Sequence, residues 1–507
     1  MIIYHKLLDI SMAHGSRIAL QYDEITISYA ELTEKIEKFI TWTKKIGVKP
    51  GESVAVMCHS RINQAVLYFA ASYLEIKLIY INFIIDSAEQ EWKHVLEDAS
   101  PDWVMCEDFV TTQASSTSGF SLVAAEYQRE NSHRPNTAPI YIQTYTSGTT
   151  GRPKGVCYRE ESVYVRSMNV VDMMKIDCDS KVLITGHMFN MTGLTLCVGS
   201  LLTGATLVFL PSKSHVSIPQ QIQKEKITHV LLFPYQLANL VHEESLSKEQ
   251  FASLKLLAFG TAPTSSTIIN TLRHFISCEW LQGYGSVETC GPITWLTEED
   301  IKNDYLATSV GRPAPNVHIT TVGRQGESLL PNSYGEIVVE SPDLMLGYWD
   351  SVSKSIKSSG DSQINTYLTG DIGYIDAEGY LFLKGRSKDC ILLSDGYTLF
   401  SSEVENIISK LEGVIEVAVV GCDVMSDGNE IPVAFIYSHH LELIMDNLHE
   451  HLRLHLAIKK WPQEVIFLRK AIPRNINGKM LKNKLKSHYA EYAARNITIK
   501  MKENSYV

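Results

Sequence analysis

No stretch of this chain approaches the roughly 18 uninterrupted apolar residues that a bilayer-spanning helix needs. The short apolar run at its start is broken by Lys6 and Asp9, so no secretory leader is expected. Basic charge is also scarce: 46 Lys and Arg stand against 57 Asp and Glu, a net charge of -11. That balance speaks against a general nucleic-acid or anionic-membrane role, since both favour basic surfaces. Nine cysteines are scattered without a CxxC pair or a Cys/His ligand spacing, and their number is odd. The pattern excludes a disulfide framework or a zinc motif and predicts free thiols in a reducing cytoplasm. No Ser/His/Asp or Cys/His constellation marks a nucleophilic hydrolase. A Walker A loop is missing as well, because no Gly-Lys is followed at once by Ser or Thr in the required frame.

What the chain does have is an ordinary globular composition, 45% hydrophobic and 20% charged, over 507 residues. That length exceeds one core's usual size and predicts two or more domains. Residues 17–27 read as two short strands around Tyr22-Asp23-Glu24, and Ser28-Tyr-Ala-Glu31 as a capping box opening an amphipathic helix. Helix and strand then alternate through Ile62–Leu74, Leu78–Ile81 and Asp102–Cys106, the rhythm of a helix-covered parallel sheet. Ile227–Tyr235 and Leu254–Phe259 are continuous apolar runs suited to strands buried on both faces. The basic tail from Lys479 to Lys502 reads as a solvated helix face.

The most informative stretch is Tyr145–Val156, reading Tyr-Thr-Ser-Gly-Thr-Thr-Gly-Arg-Pro-Lys-Gly-Val. Four hydroxyls (Thr146, Ser147, Thr149, Thr150), three glycines (Gly148, Gly151, Gly155) and Lys154 share it. Glycine lets backbone N–H groups turn toward a ligand, hydroxyls add donors, and a lysine supplies the countercharge for an oligophosphate. Such composition is more often a solvated linker. Here the strand-like flanks Ile140–Tyr145 and Val156–Tyr158 clamp it, which a linker would not need.

This segment resembles the phosphate-binding signature of the adenylate-forming superfamily, which includes acyl-CoA synthetases, peptide-synthetase adenylation domains and firefly-type luciferases. Further motifs in that family's order extend the likeness over nearly the whole chain. The resemblance implies an α/β fold: a large N-terminal domain of helix-covered sheets with a small β-barrel portion, 1–387, and a small mobile α+β domain, 388–507. Lys388 stands where the family has its hinge. Gly260-Thr261-Ala262-Pro263 is similar to the element that lies against adenine, with Thr261 replacing a glycine. Gln282-Gly283-Tyr284-Gly285-Ser286-Val287-Glu288 is similar to the motif whose Tyr stacks on adenine and whose Glu ligates Mg²⁺; Val287 departs from the usual Thr.

By the same likeness Asp371 and Arg386 reach the ribose, and His187, Asn190 and Gly283 line the acyl pocket. Asn190 is neutral where amino-acid-activating relatives carry Asp, so a substrate lacking an α-amino group is expected. Met345–Tyr348 looks like barrel scaffold. Pro473–Lys479 resembles the final motif, whose Lys bridges substrate carboxylate and α-phosphate, making Lys479 the expected catalytic residue beside Lys154 and Glu288. Three readings follow. The first is ATP- and Mg²⁺-dependent ligation of a fatty or aryl acid to coenzyme A. The second is loading of a carrier-protein phosphopantetheine with an acyl or amino acid. The third is a non-catalytic nucleotide- or acyl-binding relative, supported by departures at Val287, Thr261, Ser401 and Glu160.

Overall fold

The computed structural model describes residues 1–81, 89–107, 120–124, 140–146, 153–210, 217–243, 245–262, 264–323, 325–357, 365–393, 397–422, 430–438, 440–474 and 480–501. They form two compact units: Met1–Ile319 with Val339–Tyr367, and Thr320–Val338 with Leu368–Val507.

The first unit is built on two large sheets. One is eight-stranded, ordered Ser355–Lys357, Gly347–Asp350, Lys154–Tyr158, Ile142–Thr146, Lys77–Tyr80, Ser53–Met57, Trp103–Glu107, Phe120–Ala124. The other is nine-stranded and runs from Arg312–Pro313 through Gly291–Leu296, Glu279–Ser286, Leu256–Gly260, His229–Leu232, Lys181–Ile184, Thr206–Phe209 and Ile18–Tyr22 to Ile25–Ser28. The run from Ile142–Thr146 to Trp103–Glu107 in the first sheet and from Glu279–Ser286 to Ile18–Tyr22 in the second pairs in parallel, as the helix–strand alternation requires. Helices Ile2–His14, Tyr29–Lys45, Arg61–Leu74, Glu160–Met173 and Met191–Leu202 share one apolar core with strands of both sheets. The capping box forms as its sequence predicts: Ser28 Oγ accepts from Glu31 N–H, and the Glu31 carboxylate accepts from Ser28 N–H.

Three sequence expectations need correction. The apolar run Ile227–Tyr235 is a strand only over His229–Leu232. Pro234 then starts the helix Pro234–Val241, since a proline at the first helical position loses no hydrogen bond and presets φ. Gly347 and Tyr348 belong to the eight-stranded sheet, where Tyr348 lies opposite Val156, rather than to the small β portion. The basic tail is not one helix face: Lys482–Ser487 and Tyr489–Arg495 are followed by a strand, Ile497–Lys500, on Glu464–Leu468. The apolar start of the chain is the helix Ile2–His14, with Ile3, Tyr4 and Leu7 buried. Glu160 secures it by accepting from Ile3 N–H at 2.8 Å and from the Ser72 hydroxyl.

The small β portion is a four-stranded sheet ordered His318–Val322, Gly335–Glu340, Thr366–Ile375, Leu381–Arg386. Within the second unit, a ribbon of Cys390–Leu392 and Thr398–Phe400 precedes the helix Ser401–Ile408. A terminal mixed sheet orders Glu416–Cys422, Ile431–Tyr437, Glu464–Leu468 and Ile497–Lys500, with the helix Leu441–His455 burying Ile444, Leu448 and Leu452. Among the described residues no helix is long and apolar enough to cross a membrane.

Candidate active site

The flanks of the glycine–hydroxyl stretch are paired strands, as their sequence predicts. Ile142–Thr146 pairs antiparallel with Lys154–Tyr158, placing Thr146 opposite Lys154 and Tyr145 opposite Gly155. Ser147, Gly148, Thr149, Thr150 and Gly151 lie outside the described residues. The Lys154 Nζ stands 5.4 Å from the centre of the Tyr348 ring, within cation–π range. The Tyr348 hydroxyl donates to Glu288 Oε1 at 3.1 Å. Lys154, Tyr348 and Glu288 are thus gathered at one place, although the first and last are 134 positions apart. Tyr348 is the residue that sequence reasoning missed: its motif was read as scaffold, and only the strand pairing brings it to the loop.

Backbone bonds fix this corner. Met345 N–H donates to the Glu288 carbonyl at 3.1 Å, and Leu346 N–H to the Cys157 carbonyl at 2.7 Å. Behind them Arg166 and Asp343, both almost wholly buried, form an ion pair at 3.0 Å, and Arg166 also donates to the Pro292 carbonyl. Among the described residues no Lys or Arg pairs with the Glu288 carboxylate, and no three His, Cys, Asp or Glu side chains gather into a metal cage. One carboxylate is enough for Mg²⁺ when phosphate oxygens and water complete its shell.

The next edge is set by backbone approach. Gly260 and Gly283 face each other on parallel strands, and a Cβ at Gly260 would come within 2.2 Å of the Gly283 carbonyl oxygen. A Cβ at Gly285 would lie 2.0 Å from the Gly291 carbonyl oxygen. Only glycine fits at positions 260 and 285, where the sheet backbone closes in, while a Cβ at Gly283 would lie 2.9 Å from the Trp295 ring. Ser286 opens a tight turn, its N–H donating to Thr289 Oγ1 at 2.8 Å. Thr261 has φ of +72°, a left-handed backbone that a β-branched residue adopts only under strain. Its exposed side chain and half-buried Ala262 follow directly on the strand end.

The segment expected to line the acyl pocket precedes the helix Met191–Leu202, with Asn190 as its N-cap residue. The His187 ring stacks on Phe189 with centroids 4.8 Å apart. Gly186 lies against the Phe233 ring, where a Cβ would be 2.7 Å away, so the His187 and Phe233 segments meet. Arg61, at the start of its helix, donates to the Gly186 carbonyl at 3.0 Å. Burial, and secondarily the Arg61 charge, push His187 down to about 4, so the ring is neutral near pH 7.

In the second unit Asp371 and Arg386 lie opposite each other on adjacent strands, and their side chains form an ion pair at 2.9 Å. Asp371 N–H donates to Thr369 Oγ1 at 3.0 Å. Lys388 is exposed within the single turn Ser387–Asp389. Ser401 is buried and accepts a 2.8 Å hydrogen bond from Lys482. Lys479 lies outside the described residues; next to it, Arg474 and Met480 form an antiparallel bridge.

Residues 10–349 match the family model for AMP-binding enzymes, and residues 403–479 match the model for the C-terminal domain of those enzymes. The chain belongs to the AMP-binding enzyme family. This AMP-binding enzyme is 28% identical over 489 residues to an indoleacetate–CoA ligase of Aromatoleum aromaticum, covering 92% of the chain and 94% of that protein. It is 26% identical over 477 residues to a 2-succinylbenzoate–CoA ligase of Bacillus subtilis, covering 93% and 95%. In fold it is similar to the o-succinylbenzoate CoA synthetase of Bacillus subtilis bound to its acyl-adenylate intermediate, at a TM-score of 0.78 and 24% identity over 95% and 97% of the two chains. The ATP-bound MatB of Rhodopseudomonas palustris gives 0.81 at 24% identity over 96% and 98%.

Proposed function

We propose that this AMP-binding enzyme activates a carboxylic acid with ATP, releasing pyrophosphate, and transfers the acyl group from the adenylate to coenzyme A. The observation that carries the reading is the convergence of Lys154, Tyr348 and Glu288 beside the strand-clamped glycine–hydroxyl segment. A free carboxylate does not yield to a thiol, because oxide is a poor leaving group; AMP is a good one. The first step is therefore an in-line attack of the acid's carboxylate oxygen on the α-phosphorus. It needs positioning and positive charge rather than a nucleophilic side chain. Lys154 and the Thr146–Thr150 donors hold the phosphates, and Lys479 neutralises charge between carboxylate and α-phosphate. Glu288 holds Mg²⁺, which when bound supplies Lewis-acid neutralisation of the phosphate oxygens. Tyr348, by donating to Glu288, aims the other carboxylate oxygen at the nucleotide.

The adenine lies against Gly260–Ala262 and Gly283–Ser286 with Tyr284 on its face, and Asp371 and Arg386 take the ribose. Neutral Asn190 and neutral His187, with Gly283, favour a fatty or aryl acid without an ammonium group. The domain from 388 onward turns about Lys388 between the two half-reactions, removing Lys479 and presenting the loop at 391–398 to the thiol. The test is Lys479→Ala. We expect adenylation, followed by ATP–pyrophosphate exchange over an acid panel, to fall by about 100-fold or more. Thioester formation from a supplied acyl adenylate should stay near wild type, and equal loss of both would overturn the two-face mechanism. Product mass with coenzyme A against a phosphopantetheinyl carrier protein identifies the acceptor, and absence of exchange with every acid would favour a non-catalytic binding role.

A further inference from the structure

The residues that border the phosphate loop rest on a buried polar chain that no part of the mechanism above uses. Lys77, the first residue of the strand Lys77–Tyr80, is nearly inaccessible, and its Nζ donates to Gln143 Oε1 at 3.0 Å. Gln143 Nε2 donates to the Tyr145 hydroxyl oxygen at 2.8 Å, and that hydroxyl donates to Asp98 Oδ2 at 2.7 Å. Every donor points the same way, from ammonium through amide and phenol to carboxylate. Opposite charges at the two ends fix the orientation of both neutral groups between them and strengthen each bond in the chain. Trp349 clamps the arrangement: its ring lies 3.9 Å from Lys77 Nζ, and its indole N–H donates to the Asp98 carbonyl at 3.0 Å.

The chain passes directly over Gly155, opposite Tyr145. A Cβ there would lie 2.7 Å from Gln143 Nε2 and 3.2 Å from the Tyr145 ring. Gly155 follows Lys154, and Tyr145 precedes Thr146, so the relay touches the immediate neighbours of two groups that meet the phosphates. Tyr348, adjacent to Trp349, carries the same framework to Glu288.

We propose that Lys77 is a positioning residue: through Gln143 and Tyr145 it sets the stem from which Lys154 and Thr146 reach ATP, and it does so only while its ammonium is protonated. This deepens the proposed function and rests on it for the identity of the ligand. The titratable groups acting on Lys77 are Asp98 and Asp102, from the helix Glu89–Ala99 and its following turn, and Cys157, with Tyr145 reached through Gln143. Glu52, in the turn before Ser53–Met57, meets Lys77 through the backbone, its carbonyl accepting from Lys77 N–H at 2.9 Å. Asp102 is occupied by Ser53, and Glu52 accepts from Trp103 Nε1 and Lys49 N–H. Burial raises the Cys157 thiol to about 12 and pushes Tyr145 well above the usual phenol range, so both keep their protons below that pH. Burial lowers Lys77 to about 8.

The experiment measures direct ATP·Mg²⁺ binding and ATP–pyrophosphate exchange from about pH 6.5 to 9.5 in wild type, Lys77→Met, Lys77→Arg and Tyr145→Phe. Wild type should lose ATP affinity by about tenfold as pH passes 8, with kcat little changed. Lys77→Met should show that weaker binding already at pH 7 and no step. Lys77→Arg, which keeps its charge throughout, should bind well at pH 7 and also lack the step. Tyr145→Phe should match Lys77→Met, and the double variant should be no worse than either single one. If Lys77→Met does not fold, the arginine and phenylalanine variants carry the comparison. A step that persists in Lys77→Arg, or wild-type affinity in folded Tyr145→Phe, overturns the proposal. Wild type that binds ATP with the step but exchanges with no acid refutes the ligase reading and leaves the relay standing; wild type that does not bind ATP refutes both.

Discussion

At the residue scale, Thr261 is the clearest strained position. The strand Leu256–Gly260 ends at a backbone φ of +72°, which glycine takes freely and a β-branched side chain resists. Thr261→Gly should relieve the clash and stabilise the fold by about 1 kcal/mol net of glycine's larger unfolded-state entropy. An equilibrium urea titration measures this; an unchanged or lower midpoint would contradict it. His187 gives a second prediction. Unfolded it binds a proton near 6.5, folded only near 4, so between those values the unfolded chain holds more protons. Stability is therefore complete above 6.5 and is lost as pH falls toward 4. His229, pushed down to about 4 chiefly by burial, acts in the same direction. In His187→Gln the urea midpoint should drop less between pH 7 and pH 5 than in wild type.

At the scale of elements, the segment after Asp343 matters more than its sequence suggested. Arg166 on the helix Glu160–Met173 pairs with Asp343, and the residues just beyond bond Glu288 and Cys157 through the backbone. Arg166→Met leaves a buried carboxylate uncompensated and should cost about 3–5 kcal/mol. Tyr348→Phe should instead leave stability nearly untouched and raise the Mg²⁺ concentration needed for half-maximal exchange by a few-fold, since one hydrogen bond of about 1 kcal/mol is lost.

The contrast shows what was legible. Continuous apolar character found the strand at Leu254–Phe259, because such runs have few other uses. The glycine–hydroxyl loop's stem was legible from its strand-like flanks. Tyr348 was not, because its importance comes from an antiparallel pairing with Lys154–Tyr158 across almost 200 positions, which no local pattern encodes. Pro234 misled in the opposite direction: its apolar neighbours looked like more strand, although a proline after a short apolar run is a helix start. Lys77 stands just before the strand read at Leu78–Ile81, so no pattern marked it, and its partners come from three separate elements.

For the whole molecule, nucleotide should be a strong stabiliser, because anything that binds only the folded state adds RT ln(1 + [L]/Kd). At a hundredfold excess over Kd that is about 2.7 kcal/mol. ATP with Mg²⁺ should therefore raise the melting temperature clearly, and removing the metal with a chelator should lower the gain. In Glu288→Gln the chelator should make little further difference; an undiminished metal-dependent gain in that variant would remove Glu288 from the site.

The nine-stranded sheet has one more consequence, for synthesis. Ile18–Tyr22 completes its pairing against Thr206–Phe209, so its parallel edge waits for more than 180 further residues to be made. At roughly 5–20 residues per second the nascent chain carries that open apolar edge for on the order of ten to forty seconds. Overproduction should therefore reward slower translation or added holdase chaperones, and the yield of dispersed protein should respond to growth temperature more steeply than the finished enzyme's own melting would suggest.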